Sequence, residues 1–269
     1  MHDNQLQGKF PMVSSRSIIH YVDYSHNFFN GSIPPEMRNY LTYSVFFSLS
    51  NNRLVGAIPT SICDAPFPKV LDLSNNNLND TIPSCLVNYE VLSVLILKEN
   101  KLSGSIPGTF HGSCSLRNLD FSGNRLQGRI RKSLQNWRTR KSQTSFLVSW
   151  VDLSDNNLSG PIPQQFSGLT FLSVLNLSNN NLAGSIPTCR QLQIFDNTSY
   201  QGNPGLCGSP LAKTCSDSGT SRVGVNYMKS GTGIHGSPKS RIRIYVWVRW
   251  YYFTRAALAK LQNSVLAAD

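Results

Sequence analysis

The chain has 269 residues with 25 lysines and arginines against 14 aspartates and glutamates, a formal charge of +11, yet only 14% of it is charged. The excess is local: residues 131–141 hold five basic side chains (Arg131, Lys132, Arg138, Arg140, Lys141) and residues 222–269 hold eight (Arg222, Lys229, Lys239, Arg241, Arg243, Arg249, Arg255, Lys260), with Asp269 their sole acid. The rest, 12 basic against 13 acidic residues, is close to neutral, which argues against a nucleic-acid-binding surface on the main body.

From the amino end onward one phrase returns, as LSNNRLVGAIP, LDLSNNNLNDTIP, LILKENKLSGSIP, LDFSGNRLQGRIR, VDLSDNNLSGPIP and LNLSNNNLAGSIP. Its anchoring asparagines, Asn4, Asn27, Asn52, Asn76, Asn100, Asn124, Asn156 and Asn180, lie 23, 25, 24, 24, 24, 32 and 24 residues apart. That period falls in the leucine-rich-repeat range and predicts a solenoid, with a curved parallel β-sheet on its concave face and an irregular or 3-10 convex side. Repeats are expected over residues 1–130, the first one partial, and again over 150–188. Residues 131–149 read as an irregular basic insert or fusion junction, 189–217 as a carboxyl-terminal cap, and 218–269 as a basic, disordered tail.

Each unit can be read physically. Relative to its asparagine, apolar residues stand at minus five, minus three, plus two and plus six, as Leu71, Leu73, Leu78 and Ile82 do around Asn76. No unit buries these alone, and stacking joins them into one core. A buried asparagine amide, with two donors and an acceptor, can satisfy turn groups that would otherwise be orphaned, so Asn27, Asn52, Asn76, Asn100, Asn124, Asn156 and Asn180 read as a structural ladder. Glycine at plus four supplies a backbone conformation costly for other residues, and Asp80 takes its place in one unit. The proline at plus seven (Pro34, Pro59, Pro83, Pro107, Pro163, Pro187) sends the chain along an extended path, and Arg131 stands there instead after Asn124.

Side chains alternate across a strand, so positions flanking the inward leucines face outward on the concave sheet. At minus four these are Asp23, Ser48, Asp72, Ile96, Asp120, Asp152 and Asn176; at minus six they are Tyr21, Phe46, Val70, Val94, Asn118, Trp150 and Val174. An acidic column beside an apolar and aromatic one suits a peptide presenting basic and hydrophobic groups. The ligand-facing candidates are therefore Tyr21, Asp23, Phe46, Asp72, Ile96, Asp120, Trp150 and Asp152. The competing reading of each aspartate is repeat consensus, bonding to neighbouring strand groups. Nothing suggests catalysis: His2, His20, His26, His111 and His235 lie in different surroundings, His26 and His111 in loops, and no phosphate-cradling glycine loop or kinase signature occurs. No cofactor is expected, and no cysteine pair has zinc spacing. Cys63 and Cys85, at plus 11 and plus 9 in adjacent units, are close enough in register for either a convex bridge or two free thiols; Cys114 and Cys189 have no clear partner. Five acceptor sequons begin at Asn30, Asn79, Asn157, Asn176 and Asn197. A glycan on Asn176 would obstruct the concave face, so that site is expected to be unmodified.

The run NYLTYSVFFSLSNNRLVGAIPTSIC, then IPSCL, then a cysteine followed by SLRNLD, together with LTFLSVLNLSNNNLAGSIPTCRQLQIFDNTSYQGNPGLCGSPLAKTC, resembles plant leucine-rich-repeat receptor-like proteins, the Verticillium-wilt-resistance type above all. The likeness covers about residues 1–217. It implies an immune receptor at the extracellular face of the plasma membrane, with an extracellular solenoid, one span, a short tail and no kinase. Such a protein senses a microbial or wall-derived peptide or protein and signals through a co-receptor kinase, contacted by the last repeats from Trp150 to Pro187. The resemblance also implies a capping disulfide between Cys207 and Cys215; two free thiols in a loop are the alternative.

The sequence departs from that family in ways that suggest truncation and internal rearrangement. It begins inside a repeat (DNQLQGKF), and the 32-residue gap around RKSLQNWRTRKSQTSFLVS suggests lost repeats and fused ends. After Ser221 a basic, aromatic tail stands where an apolar span is expected, and Ile244–Val248 falls far short of the roughly 20 residues a membrane helix needs. That tail could instead adhere to an anionic membrane surface. Two other functions are compatible with the sequence: a soluble wall protein inhibiting a microbial polygalacturonase, and a non-functional gene fragment. Solenoid ends need caps, so the amino end is expected to fray before Asn27. Hydrogen exchange checks this, and a fully protected first repeat would contradict it.

Overall fold

A computed structural model describes residues 2–10, 20–65, 68–88, 90–108, 116–130, 149–170 and 172–215. Cys114, His111, His235, the basic insert over 131–148 and the tail over 218–269 lie outside the described residues.

The strand segments ending in the minus-four residues stack into one parallel, seven-stranded sheet: Tyr21–Asp23, Phe46–Ser48, Val70–Asp72, Val94–Ile96, Asn118–Asp120, Trp150–Asp152 and Val174–Asn176. Register is uniform, with Val22, Phe47, Leu71, Leu95, Leu119, Val151 and Leu175 opposite one another in turn. All seven are buried, because an inward residue on a parallel stack meets its counterpart in both neighbouring rungs. They join one apolar core running from Phe10 to Leu206. Each fully buried leucine or isoleucine contributes about 1.5–3 kcal/mol, and every rung adds several.

The ladder asparagines fix how far one rung sits from the next. Asn76 donates to Leu73 O at 3.1 Å and Ser74 O at 3.1 Å in its own rung, and to Leu49 O at 3.0 Å in the rung before. Its Oδ1 accepts from Leu54 N at 3.0 Å, again in the preceding rung. Asn52, Asn100, Asn124, Asn156 and Asn180 repeat the pattern, reaching back to Phe29 N, Leu78 N, Leu102 N, Leu126 N and Leu158 N at 2.9–3.0 Å. Asn27 reaches Leu6 N at 3.1 Å, whereas Asn4 is exposed and its side-chain amide donates to His2 O at 2.7 Å within its own turn. The 32-residue interval does not break the ladder. Asn156 donates to Phe121 O at 2.9 Å, and Trp150–Asp152 pairs directly with Asn118–Asp120.

Two features lie beyond the sequence reading. The residue before each anchoring asparagine turns the chain with positive φ: His26 at 53°, Asn51 at 55°, Asn75 at 53°, Glu99 at 54°, Asp155 at 54° and Asn179 at 54°. A second set of parallel strands follows the asparagines, Gln7–Lys9, Phe28–Ser32, Arg53–Gly56 and Asn77–Leu78 in one sheet, and Gln127–Arg129, Asn157–Gly160, Asn181–Ser185 and Gly205–Cys207 in another. In these strands the plus-four glycines hold positive φ (Gly31 78°, Gly56 82°, Gly160 77°), and Asp80 holds 70° in the same role, its Oδ1 accepting from Thr81 N at 2.8 Å.

Among the described residues, short helical turns entered by plus-seven prolines lie on the back of the solenoid, including 3-10 turns over Thr60–Asp64 and Gln164–Gly168 and an α turn over Ser84–Val87. A disulfide joins Cys63 to Cys85 across two of these turns, with Cα atoms 6.0 Å apart. Beyond the last full repeat the ladder continues for one more rung. Asn203 accepts from Leu182 N at 3.0 Å and donates to Leu177 O at 2.9 Å, and Gly205–Cys207 pairs with Ala183–Ser185. Buried Tyr200 donates to Leu192 O at 2.8 Å, and Cys207 is bridged to Cys215. Cys189 is a half-buried free thiol against the core.

Replacing Asn100 by alanine strands Leu78 N inside the core and removes one of the two amide donors to Leu73 O, which keeps Asn76. At about 1–3 kcal/mol for an orphaned buried group, that is the expected loss in chemical denaturation. A loss below about 1 kcal/mol would show that the ladder amides are not what holds the rungs.

Candidate functional site

Uniform register converts the outward positions into columns. One reads Asp23, Ser48, Asp72, Ile96, Asp120, Asp152 and Asn176 along the sheet, and beside it run Tyr21, Phe46, Val70, Val94, Asn118, Trp150 and Val174. Adjacent strands lie about 4.8 Å apart, so large outward side chains cover one another. The middle of the face is accordingly more enclosed than strand alternation alone predicts. Phe46, Val70, Ile96 and Asp120 are buried, Trp150 and Asp152 partly so, and Tyr21 is 50% exposed. The Tyr21 and Phe46 rings stack with centroids 4.6 Å apart.

The aspartates serve their own turns. Oδ1 of Asp72 accepts from Ser74 N at 3.0 Å and Ser74 Oγ at 2.6 Å. Asp23 with Ser25, Asp120 with Ser122 and Asp152 with Ser154 do the same, and Asn176 substitutes for an aspartate over Ser178. Each carboxylate thus closes the strand's exit. Asp152 Oδ2 accepts from Asn176 Nδ2 at 3.3 Å.

Burial raises the pKa of three aspartates in this column, Asp72, Asp120 and Asp152. It pushes the Asp120 carboxyl up to about 7, helped by the charge of Asp152 on the adjacent strand and opposed by the Ser122 bonds and Lys98. Burial likewise raises Asp152, against the Ser154 and Asn176 bonds. Asp72 is raised for the same reason, with Ser74 and Lys98 opposing. Lys98 moderates both Asp72 and Asp120, yet among the described residues none of the three aspartates closes a salt bridge. The indole Nε1 of Trp150 is buried with no hydrogen-bond partner. The face therefore combines carboxylate acceptors with aromatic surface, and Trp150 adds a buried donor left unpaired among the described residues.

The remaining candidates lie elsewhere. Asn30, Asn79, Asn157 and Asn197 are exposed, whereas Asn176 is half-buried with its amide engaged on both sides. His26 occupies a turn, its Nδ1 3.8 Å from Asp3 Oδ1 and its Nε2 3.2 Å from Asn51 Nδ2. Among the described residues no three His, Cys, Asp or Glu side chains gather to hold a metal ion. Trp150's orphan donor and Asn203's rung escaped the sequence reading. Asn203 was detectable, since it follows Asn180 at 23 residues; a buried indole nitrogen leaves no sequence signal.

A carboxyl with a folded value of about 7 and an unfolded value of 3.8 binds the proton more tightly in the folded state between those limits. Stability is then greatest below pH 3.8 and falls as pH rises toward 7, by up to about 1.4 kcal/mol per pH unit. Thermal melts across that range are expected to show the fall, and Asp120→Asn to flatten it while retaining the Ser122 bonds. A slope identical in the variant would refute the assignment.

Leucine rich repeat family profiles match residues 69–126, 148–169 and 171–192. No curated protein sequence matches the chain. Among solved structures, it is similar to the Arabidopsis receptor kinase HAESA in complex with the peptide hormone IDA and the co-receptor SERK1, at 30% identity and TM-score 0.65 over 79% of this chain and 34% of that one. It is also similar to the ectodomain of the Arabidopsis thaliana receptor kinase GASSHO1/SCHENGEN3 in complex with CASPARIAN STRIP INTEGRITY FACTOR 2 (28% identity, TM-score 0.63, 80% of this chain, 28% of that one). A plant ice-binding protein shares the architecture at 28% identity and TM-score 0.55, over 81% of this chain and 75% of that one. The chain spans about a third or less of the HAESA and GASSHO1/SCHENGEN3 chains. It folds as a leucine-rich-repeat solenoid whose structural neighbours include plant receptor ectodomains.

Proposed function

We propose that this chain is ligand-binding solenoid from a plant cell-surface immune receptor-like protein at the extracellular face of the plasma membrane. Its ligand is a microbial or wall-derived peptide carrying basic and apolar groups, and signalling passes to a co-receptor kinase docked on the last repeats, Trp150 to Pro187. The observation that carries this reading is the alignment of Asp72, Asp120 and Asp152 beside Tyr21, Phe46 and Trp150 on one sheet face, with the buried Trp150 donor unsatisfied. A cationic side chain on the ligand would satisfy the carboxylates, and its apolar groups would lie on the aromatic rings. The neighbours HAESA and GASSHO1/SCHENGEN3 were solved with a peptide hormone and with CASPARIAN STRIP INTEGRITY FACTOR 2, which supports peptide or protein recognition by this architecture. Ice binding gains no support, because the outward plus-one positions change in size and charge from rung to rung (Phe28, Arg53, Asn77, Lys101, Arg125).

Because Asp72 and Asp120 also close their turns, charge reversal would damage the fold, and asparagine is the informative replacement. Calorimetric binding of a peptide alternating arginine and phenylalanine is expected to weaken about tenfold or more in Asp72→Asn with Asp120→Asn. The circular dichroism is expected to stay unchanged, as is the activity of an added fungal polygalacturonase. Undiminished peptide binding in the variant would end this reading.

A further inference from the structure

The flank formed by the strands Phe28–Ser32, Arg53–Gly56 and Asn77–Leu78 carries apolar side chains that no rung covers. Phe28 is 41% exposed and Val55 43% exposed. Arg53 lies over the Phe28 ring, its guanidinium carbon 4.6 Å from the centroid, and leaves Val55 open. Asn30 stands within this patch, two residues from Phe28 on the same strand and face. Ser32, two residues further along, is opposite Val55, and Val55 is in turn opposite Asn77, two residues before Asn79. Two acceptor asparagines therefore bracket one exposed valine. Both are exposed, and among the described residues neither side-chain amide makes a hydrogen bond. Asn79 uses only its backbone N–H here, donating to Gly56 O at 3.0 Å.

We propose that Asn30 and Asn79 carry N-linked glycans that cover the Phe28 and Val55 flank, so that protein partners are confined to the other faces of the solenoid. The chemistry requires a lipid-pyrophosphate-linked oligosaccharide as donor. The asparagine Nδ2 forms a bond to the sugar's C1 as the C1–O bond to pyrophosphate breaks; the amide loses one proton and lipid pyrophosphate leaves. Asn30-Gly31-Ser32 and Asn79-Asp80-Thr81 both supply the acceptor triad, with no proline between. Attached sugars lay C–H faces on Phe28 and Val55 and their hydroxyls in water, which removes an adhesive patch from a secreted surface. Asn176 differs, since both ends of its amide are held by Asp152 and Ser178.

This inference rests on the extracellular part of the proposed function and not on peptide recognition. The full chain, led into the secretory pathway of plant leaf cells by a fused signal peptide, is mapped by glycosidase treatment in heavy-oxygen water and peptide mass spectrometry, on secreted and retained material alike. Both Asn30 and Asn79 are expected to be occupied and Asn176 bare. Either Asn30 or Asn79 bare overturns the inference, while loss of peptide binding leaves it standing. Ser32→Ala with Thr81→Ala deletes both acceptor triads without touching the asparagines. Binding of an apolar fluorescent dye is expected to rise several-fold in this variant, and unchanged dye binding would overturn the covering role.

Discussion

One buried carboxamide per turn sets the geometry of this molecule. A primary amide offers two donors and an acceptor within a single short side chain, and at each rung it ties its own strand exit to the rung before. Because that reach is the same every time, the rungs stack at one spacing and one register, and the leucines meet in rows. Neither effect works alone: the apolar rows supply the driving force, whereas the amides make slippage costly by leaving buried backbone groups unpaired. Continuity across the 32-residue interval follows from the same constraint. Asn156 finds Phe121 O and Leu126 N as any other rung asparagine would, whatever lies between Ile130 and Ser149 in sequence.

Register is also what lines isolated outward residues up into the proposed recognition face. A single aspartate at a strand exit is a turn device, bonded to the serine two residues on. Repeated in register, the same device sets Asp120 against Asp152 and places Asp72 within the influence of Lys98. Burial then disfavours their charge, at a cost to the fold's own stability as pH rises. In the proposed reading the structural and functional roles of these aspartates are compatible: Oδ1 belongs to the turn, and the second oxygen is the one a ligand would meet, although at Asp152 it already accepts from Asn176.

The fold was legible in the sequence because its two determinants, spacing of asparagine and spacing of leucine, are local and periodic. Less was legible where a property depends on three dimensions. Nothing in the varied residues His26, Asn51, Glu99 and Asp155 announces a shared positive φ, since the turn tolerates each of them once its neighbours are fixed. The second set of strands is two to five residues long and mixes polar with apolar residues on its outward side, which leaves too little alternation to detect. Asn203 was hidden because YQGNPGL lacks the leucines that mark other rungs, although its interval fits. The site was half legible: which residues share a face follows from alternation, while the burial of Phe46, Ile96 and Asp120 depends on how neighbouring side chains overlap. The pairing of Cys63 with Cys85 lay between these cases, since positions two apart in register become neighbours only once both turns are built.

The central claim is that the carboxylate and aromatic columns are where a ligand lies. The most direct measurement is photo-crosslinking with the arginine and phenylalanine peptide carrying a benzophenone, followed by mass-spectrometric mapping. The account predicts adducts on Tyr21, Phe46, Trp150 and their strand neighbours, suppressed by excess unlabelled peptide. Competed adducts confined to the Phe28–Ser32 and Arg53–Gly56 flank or to the convex turns would contradict it.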